Sequence, residues 1–262
     1  MKIYIVADFE GGCSLVGRPG EEIIPGTPQY EFAQRIVTGE VNAAAEGALE
    51  SGATEIIVND AHDGGVNLLY EELHPEAKVL LGVPRTRRFL GLDETFSGVF
   101  FIAYHPMSGT ERGVLDHTYS SEEIQNMWLN DIRVGEIGMD AAVAGALGVP
   151  VVLVTSDRAG TEEAKALLGD VEVVAVKEGL GRNCAISLHP AKARQFIREA
   201  AKRALSRIDS FKPLIFDRPY RLKKEYKLTS TVDHLARSGR SNLIRLDGKT
   251  IQLTSDSIFD LI

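Results

Sequence analysis

Two acids close the first apolar run of the chain, where Lys2-Ile3-Tyr4-Ile5-Val6-Ala7-Asp8-Phe9-Glu10 leads directly into Gly11-Gly12. Side chains two apart along an extended segment share a face, so Asp8 and Glu10 point the same way. Carboxylates held side by side repel unless a cation or a shared proton lies between them. Residues of matching chemistry follow later apolar runs: Asp60 and His62 after Ile56-Ile57-Val58, His105 after Val99-Phe100-Phe101-Ile102, and His117 and Glu136 in the loops beyond. Carboxylate and imidazole are the ligand types that suit zinc and related divalent ions. In open α/β sheets ligands bind beyond the carboxyl ends of the strands, which is where these residues would gather.

Each residue alone has a plainer reading. An Asp-x-Glu pair at a strand end is commonly solvated or caps a helix. Asn59-Asp60 can form a turn with its own side chains, and Glu136 suits the positive end of a helix. His105 can be a hydrogen-bonded ring at a sheet edge. Their joint occurrence at four strand ends or loops is what points to a metal centre.

The elements that must position these residues read as an α/β fold, a largely parallel sheet sandwiched by helices. Strands are predicted near 2–8, 54–59, 78–82, 98–104, 150–155 and 172–177, and helices over 30–51, 136–147 and 161–168. The alternation breaks between 113 and 134. There 113–119 and 124–129 read as strands flanking turns, and Asn130-Asp131 turns the chain again. This predicts a β-excursion hanging over the sheet edge. Pro190 opens a basic helix running to about 208, and Phe211-Lys212-Pro213 reads as a linker. The chain is thus expected to divide into an α/β domain over 1–210 and a small α+β C-terminal part over 211–262. That tail reads as strand, helix, a hairpin through Asp247-Gly248 and a short final helix, with packing or subunit contact as its work.

Composition excludes several classes. The net charge is -8 over 262 residues and no basic run offsets it, so nucleic acid is not an expected partner. No apolar stretch approaches a membrane span, and the first residues lack a secretory pattern, so no membrane partner is expected and the cytoplasm is the default location. Cys13 and Cys184 have no metal or redox spacing, which argues against a structural disulfide or a thiolate metal site.

The runs Asp8-Phe9-Glu10-Gly11, Val58-Asn59-Asp60-Ala61-His62, Ala103-Tyr104-His105, Gly113-Val114-Leu115-Asp116-His117 and Asn130-Asp131-Ile132-Arg133-Val134-Gly135-Glu136-Ile137-Gly138 resemble the D-aminopeptidases of the DppA type, the M55 metallopeptidases. The resemblance continues through Leu73-His74-Pro75-Glu76-Ala77, Gly91-Leu92-Asp93-Glu94-Thr95-Phe96, Val154-Thr155-Ser156-Asp157-Arg158-Ala159 and Ala175-Val176-Lys177, and covers about the first two hundred residues in order. It implies two zinc ions per subunit, bound by Asp8, Glu10, His62, His105 and Glu136, with Asp8 bridging both. It also implies that His117 is the active-site nucleophile. The substrates would be short peptides with an N-terminal D-residue such as D-alanine, and the assembly a ring-like homo-oligomer that restricts access. Gly12-Cys13 and Asp116 depart from the family pattern, which bears on the substrate pocket and the surroundings of His117, not on the ligands.

Chemistry fits that implication. Two ions about 3.5–4 Å apart can share a water, lower its pKa and polarise a scissile carbonyl. Five protein ligands over two ions leave open positions, as catalysis requires. His117, lying on the excursion, is better placed to meet substrate than to hold metal, by proton transfer or by attack on the carbonyl. Asp60 is a candidate acceptor for a ligand imidazole, and Lys177 or Arg182 for contact with a peptide carboxylate. His74 is assigned to a helix end, His189 to a helix start, His234 to solvent and Trp128 to core or a subunit contact. Two other functions suit the same residue types: a dinuclear phosphoesterase or amidohydrolase, and a non-catalytic binding or scaffold protein with an idle metal site.

Overall fold

In β1 (Lys2–Ala7) the side chains of Ile3, Ile5 and Ala7 face one way and those of Tyr4 and Val6 the other, and all five are fully buried. A strand buried on both faces belongs at the centre of a covered sheet. The computed structural model, which describes residues 1–262, places it there. After β1 come α1 (Tyr30–Glu50), β2 (Glu55–Asp60), β3 (Ala77–Leu80) and β4 (Gly98–Ile102). Next are β5 (Ile124–Leu129), β6 (Ile132–Arg133), α2 (Glu136–Ala146), β7 (Val151–Asp157), α3 (Arg158–Leu168), β8 (Glu172–Gly181), β9 (Cys184–Ser187) and α4 (Pro190–Ser206). The chain ends with β10 (Tyr220–Tyr226), α5 (Thr229–Ala236), β11 (Leu243–Arg245), β12 (Thr250–Ser255) and a single 3-10 turn.

Seven strands form the central sheet in the order β3-β2-β1-β4-β7-β8-β9, parallel except for the edge strand β9. The chain moves outward from β1 through β2 to β3, then returns to β4 on the other side of β1. The strand order therefore reverses between β1 and β4, which is where a crevice opens at the carboxyl ends of an α/β sheet. One face of the sheet packs Ile3, Ile5, Phe100 and Ile102 against α1 and α4, through Ile36, Val41 and Ile197. The other packs Tyr4, Val6, Phe101 and Val154 against α2 and against a second sheet, through Val143, Leu222 and Leu253. The expected α/β architecture is thus present, with every predicted strand and helix except the strand over 113–119 recovered within a few residues of its bounds.

Three details differ. Residues 113–119 form no strand: Arg112, Leu115 and Tyr119 adopt left-handed backbone at φ 59, 54 and 56°, and the segment has no ladder partner. Side chains pin it instead, Asp157 accepting from the Val114 N–H at 2.6 Å and Asp116 from the Gly109 N–H at 2.6 Å. Second, the excursion does not overhang the sheet edge, because β5 and β6 join β10, β11 and β12 in one antiparallel sheet of order β11-β12-β10-β5-β6. Third, β8 runs past Lys177 to Gly181 and turns back as β9. The glycines of Glu178-Gly179-Leu180-Gly181 carry little strand propensity, yet Gly179 is needed there, since a Cβ would lie 1.9 Å from the Arg112 carbonyl oxygen. That close approach docks the loop bearing His117 against the sheet, where the Leu115 N–H donates to the Arg182 carbonyl at 2.9 Å.

Smaller assignments are met or replaced. His189 caps α4, accepting from the Ala191 N–H at 3.2 Å, and Pro190 opens the helix. Trp128 is half-buried beneath the Lys223 ammonium, 4.2 Å from its ring centroid. Lys224, on the same strand, enters a hollow of about 380 Å³ lined by Tyr226, Leu235, Leu243, Ile251 and Leu253. Burial, and secondarily the charge of Arg240, push its ammonium down from 10.5 to about 8. The folded state thus holds this proton less tightly than the unfolded one, a penalty complete below pH 8 that fades as pH rises to 10.5. Lys224→Met is expected to stabilise the protein by about 1–2 kcal/mol at neutral pH, with partial exposure allowed for, and to lose that gain above about pH 10. Thermal melts across that range check it.

Candidate metal centre

The reversal point between β1 and β4 collects the acids and imidazoles that the sequence scatters. Asp8 and Glu10 follow β1, His62 follows β2, His105 follows β4, and Glu136 is the first residue of α2. A tight junction forms the floor: the Gly11 N–H donates to the Ala103 carbonyl at 2.8 Å, and a Cβ on Gly11 would sit 1.6 Å from the Tyr104 carbonyl oxygen. Only glycine allows the two strand ends to meet this closely. Ala103 turns the chain out of β4 at φ 60°, an uncommon backbone for alanine that the Thr155 hydroxyl steadies by accepting its N–H at 2.8 Å.

The side chains form two groups that share Asp8. Its Oδ1 lies 3.1 Å from His62 Nδ1, and Glu10 Oε2 lies 3.3 Å from the same nitrogen. Its Oδ2 lies 3.5 Å from His105 Nε2, which is 3.1 Å from Glu136 Oε1. His117 stacks on His105 at 3.9 Å between centroids, with its Nε2 3.8 Å from Glu136 Oε1. Every ring is oriented by a backbone carbonyl on its far side. His62 Nε2 is held by Ile23 O, His105 Nδ1 by Pro106 O at 3.0 Å and His117 Nδ1 by Leu115 O at 2.8 Å. With one nitrogen donating outward, the other faces the carboxylates, where it would offer its lone pair to a cation. Phe9 stacks flat on His62 at 4.8 Å and fixes its plane.

Electrostatics agree with this geometry. Burial raises the Asp8 carboxyl to about 6, and the Glu10 charge adds to the rise. Burial would likewise raise Glu136, but the His105 charge overrides it and holds that carboxyl down at about 2. The rings of His62 and His105 would be pushed down by burial, yet Glu10 and Glu136 respectively hold them well above their ordinary value. Such a field suits a divalent cation. Two buried carboxylate oxygens, Asp8 Oδ2 and Glu10 Oε2, have no hydrogen-bond partner at all. A buried charged oxygen without a partner is costly, and a cation is the partner that this donor set fits. The ligand atoms of Asp8, Glu10 and His62, and those of His105, His117 and Glu136, each lie within 4.8 Å of one another, which makes two candidate ion positions.

Two of the expected roles are not filled. Asp60 touches neither ring; its carboxylate accepts from the N–H groups of Asn67 and Leu68 and from the Tyr70 hydroxyl, and so shapes the loop after His62. Lys177 cannot reach a substrate, because its buried ammonium donates to the carbonyls of Glu10, Gly12 and Leu15. It ties down the loop that carries Glu10. Arg182 reaches the site through Glu22, pairing with it at 3.1 Å and with Asp116 at 3.0 Å, and is not itself among the residues lining the cavity.

Five contributors escaped the sequence reading. Arg88 makes a two-pronged contact with buried Asp140 at 2.8 and 2.6 Å, and Tyr104 and Tyr119 donate to the same carboxylate at 2.6 and 3.2 Å. Asp140 lies one helical turn after Glu136, and that i, i+4 spacing is the signal by which it could be found. Glu22 carries no comparable signal, being on a loop far from any strand end. Together with the acids and His117, Glu22 and Arg88 line a cavity of about 480 Å³. A larger hollow between α1 and α4, about 550 Å³, holds no set of this kind.

An α/β sheet whose reversal point gathers carboxylates and imidazoles around two candidate ion positions is the architecture of a metal-dependent hydrolase. The chain belongs to the M55 peptidase family: the model of that family, described as D-aminopeptidase, matches residues 1–262, the C-terminal part included. It is 38% identical over 216 residues to the D-aminopeptidase of Bacillus subtilis (strain 168), which spans 82% of this chain and 77% of that protein. Among solved structures it is similar to the Zn-dependent D-aminopeptidase DppA from Bacillus subtilis, a self-compartmentalizing protease. The TM-score is 0.92 and the identity 32%, over 99% of this chain and 93% of the other.

Proposed function

We propose that the protein is a di-zinc aminopeptidase that releases an N-terminal D-residue, such as D-alanine, from short peptides. The observation that carries this is the position of Asp8, whose two oxygens address His62 at 3.1 Å and His105 at 3.5 Å. Asp8, Glu10 and His62 would hold one zinc ion, Asp8, His105 and Glu136 the other. Ions held there supply an acidified water and polarise the substrate carbonyl. His117 meets the peptide: with Nδ1 donating to Leu115 O, its Nε2 is free to move a proton at the reacting carbonyl or the leaving amine. Arg88, its charge balanced by Asp140, closes the opposite wall.

Family membership favours this reading over a phosphoesterase, an amidohydrolase or an idle scaffold. A self-compartmentalizing relative supports a homo-oligomer, with a ring as the geometry to test by light scattering. The unpaired Cys13 and Cys184 suit a reducing compartment, so a cytoplasmic setting is part of the reading; no helix is long and apolar enough to cross a membrane. Residues 211–262 are read as a small α+β subdomain leaning on the excursion through β10. The direct test uses zinc-loaded protein on D-alanyl and L-alanyl amides. Hydrolysis with D preference is expected; no hydrolysis of either, with two zinc ions per chain verified, would overturn the assignment.

A further inference from the structure

We propose that Glu22 accepts the α-ammonium of the substrate, and thereby confines the site to peptides with a free N-terminus. The proposal rests on the peptidase reading above and deepens it. When the first residue is removed from a peptide, a single Cα separates the ammonium from the scissile carbonyl carbon. Bond lengths put those two atoms about 2.5 Å apart. Whatever binds the ammonium must therefore stand within a few ångström of the groups that handle the carbonyl.

Three acids border the cavity without belonging to the two ligand groups: Glu22, Asp63 and Glu122. Only Glu22 meets the distance requirement. One of its carboxylate oxygens, one of Glu10 and a ring nitrogen of His117 all lie within 4.8 Å of one another. Glu22 and Glu10 so placed repel, and a cation between them removes the repulsion.

An ammonium suits that position better than a further metal ion. Glu22 Oε1 is already engaged by the Arg182 guanidinium at 3.1 Å, and Arg182 is itself anchored on Asp116 at 3.0 Å. An oxygen paired to a guanidinium is a weakened metal donor, but the carboxylate keeps acceptor sites for an ammonium, which has three donors to place. Its side chain is 31% exposed, so it is reachable from the cavity. The charges of Glu22, Asp116 and Arg182 sum to one negative charge, which one substrate ammonium balances. An N-acylated peptide brings no charge and only one N–H donor in place of three, and a site built for a charged hydrogen bond rejects such an analogue strongly.

The test compares full-length, zinc-loaded wild type with Glu22→Gln and the conservative Glu22→Asp. Zinc per chain, kcat and KM for a D-alanyl amide, and calorimetric affinity for D-alaninol, an amine with no bond to cleave, are measured on each. For Glu22→Gln, KM is expected to rise and D-alaninol affinity to fall by a common factor of about ten to a hundred, the range of one charged hydrogen bond. The fall in kcat should be smaller, zinc content unchanged and Glu22→Asp intermediate. Loss of a zinc ion would make Glu22 a ligand and overturn the proposal. So would an unchanged KM and D-alaninol affinity, or an equal loss on the N-acetyl form of the substrate. Failure of the peptidase reading is seen separately, as wild type with full zinc and no hydrolysis, and in that event the D-alaninol comparison still decides the role of Glu22.

Discussion

Asp8→Ala is expected to abolish zinc binding at both positions and to lower kcat/KM by about a thousandfold or more, the several kcal/mol that a bound metal contributes to the transition state. Every other proposed ligand serves one group, whereas Asp8 offers Oδ1 to the His62 group and Oδ2 to the His105 group. Its loss breaks both at once. Stability should respond in a way that separates this from misfolding. Asp8 is itself in an unfavourable place without a cation, its carboxyl raised to about 6 by burial and by Glu10. The metal-free variant should therefore melt no lower than metal-free wild type, while the rise in Tm on adding zinc, which reflects selective binding to the folded state, disappears. Elemental analysis and paired melts measure both effects. Two zinc ions per chain in Asp8→Ala would contradict the shared-ligand arrangement.

Residues fixed by local periodicity were legible in the sequence. The alternation of Ile3 and Ile5 with Tyr4 and Val6 defined a strand, and the chemistry that follows the strands marked Asp8, Glu10, Asp60, His62, His105, His117 and Glu136 as candidates, from which the family resemblance implied the ligand set. What resisted reading was held by long-range contacts. Val114-Leu115 has strand composition, but its backbone is set by Asp157, 43 positions from Val114, and by Arg182, still further along the chain, and no local signal reports them. Lys177 looked available because its burial depends on carbonyls of Glu10, Gly12 and Leu15 reached across the sheet. Glu22 belongs to the same class, placed by Arg182, 160 positions further along the chain.

That contrast has a physical basis in the way the site is built. Four of the five proposed ligands stand at the ends of sheet strands and the fifth, Glu136, opens α2, elements whose positions the core determines, so they tolerate no ambiguity of a few ångström. The groups proposed to face substrate stand on loops pinned by side-chain hydrogen bonds, which sequence pattern does not record. Gly12-Cys13 and Asp116, the departures from the family pattern, fall in this second layer. Cys13 is buried with its thiol on the Leu188 carbonyl at 2.9 Å, and Asp116 anchors Arg182.

His117→Ala is the variant that separates these two layers, because it is expected to keep both zinc ions while slowing turnover by about a hundred- to ten-thousandfold, the range for a lost proton-transferring group. His117 approaches Glu136 only to 3.8 Å, the longest of the ring-to-carboxylate contacts, whereas His62 and His105 each have such a contact at 3.1 Å. The remaining groups thus stay complete when it is removed. The stacked partner His105 retains its own anchor on Pro106 O at 3.0 Å, so its orientation survives. KM should change little, since the ammonium is assigned to Glu22, and added imidazole should restore part of the rate by entering the vacated space. A rapid-quench search for an acylated His117 in the wild type distinguishes direct attack on the carbonyl from proton transfer. A His117→Ala protein with only one zinc ion would move this residue from the substrate layer into the metal layer, and its neighbourhood with His105 and Glu136, all within 4.8 Å, would then be a ligand set.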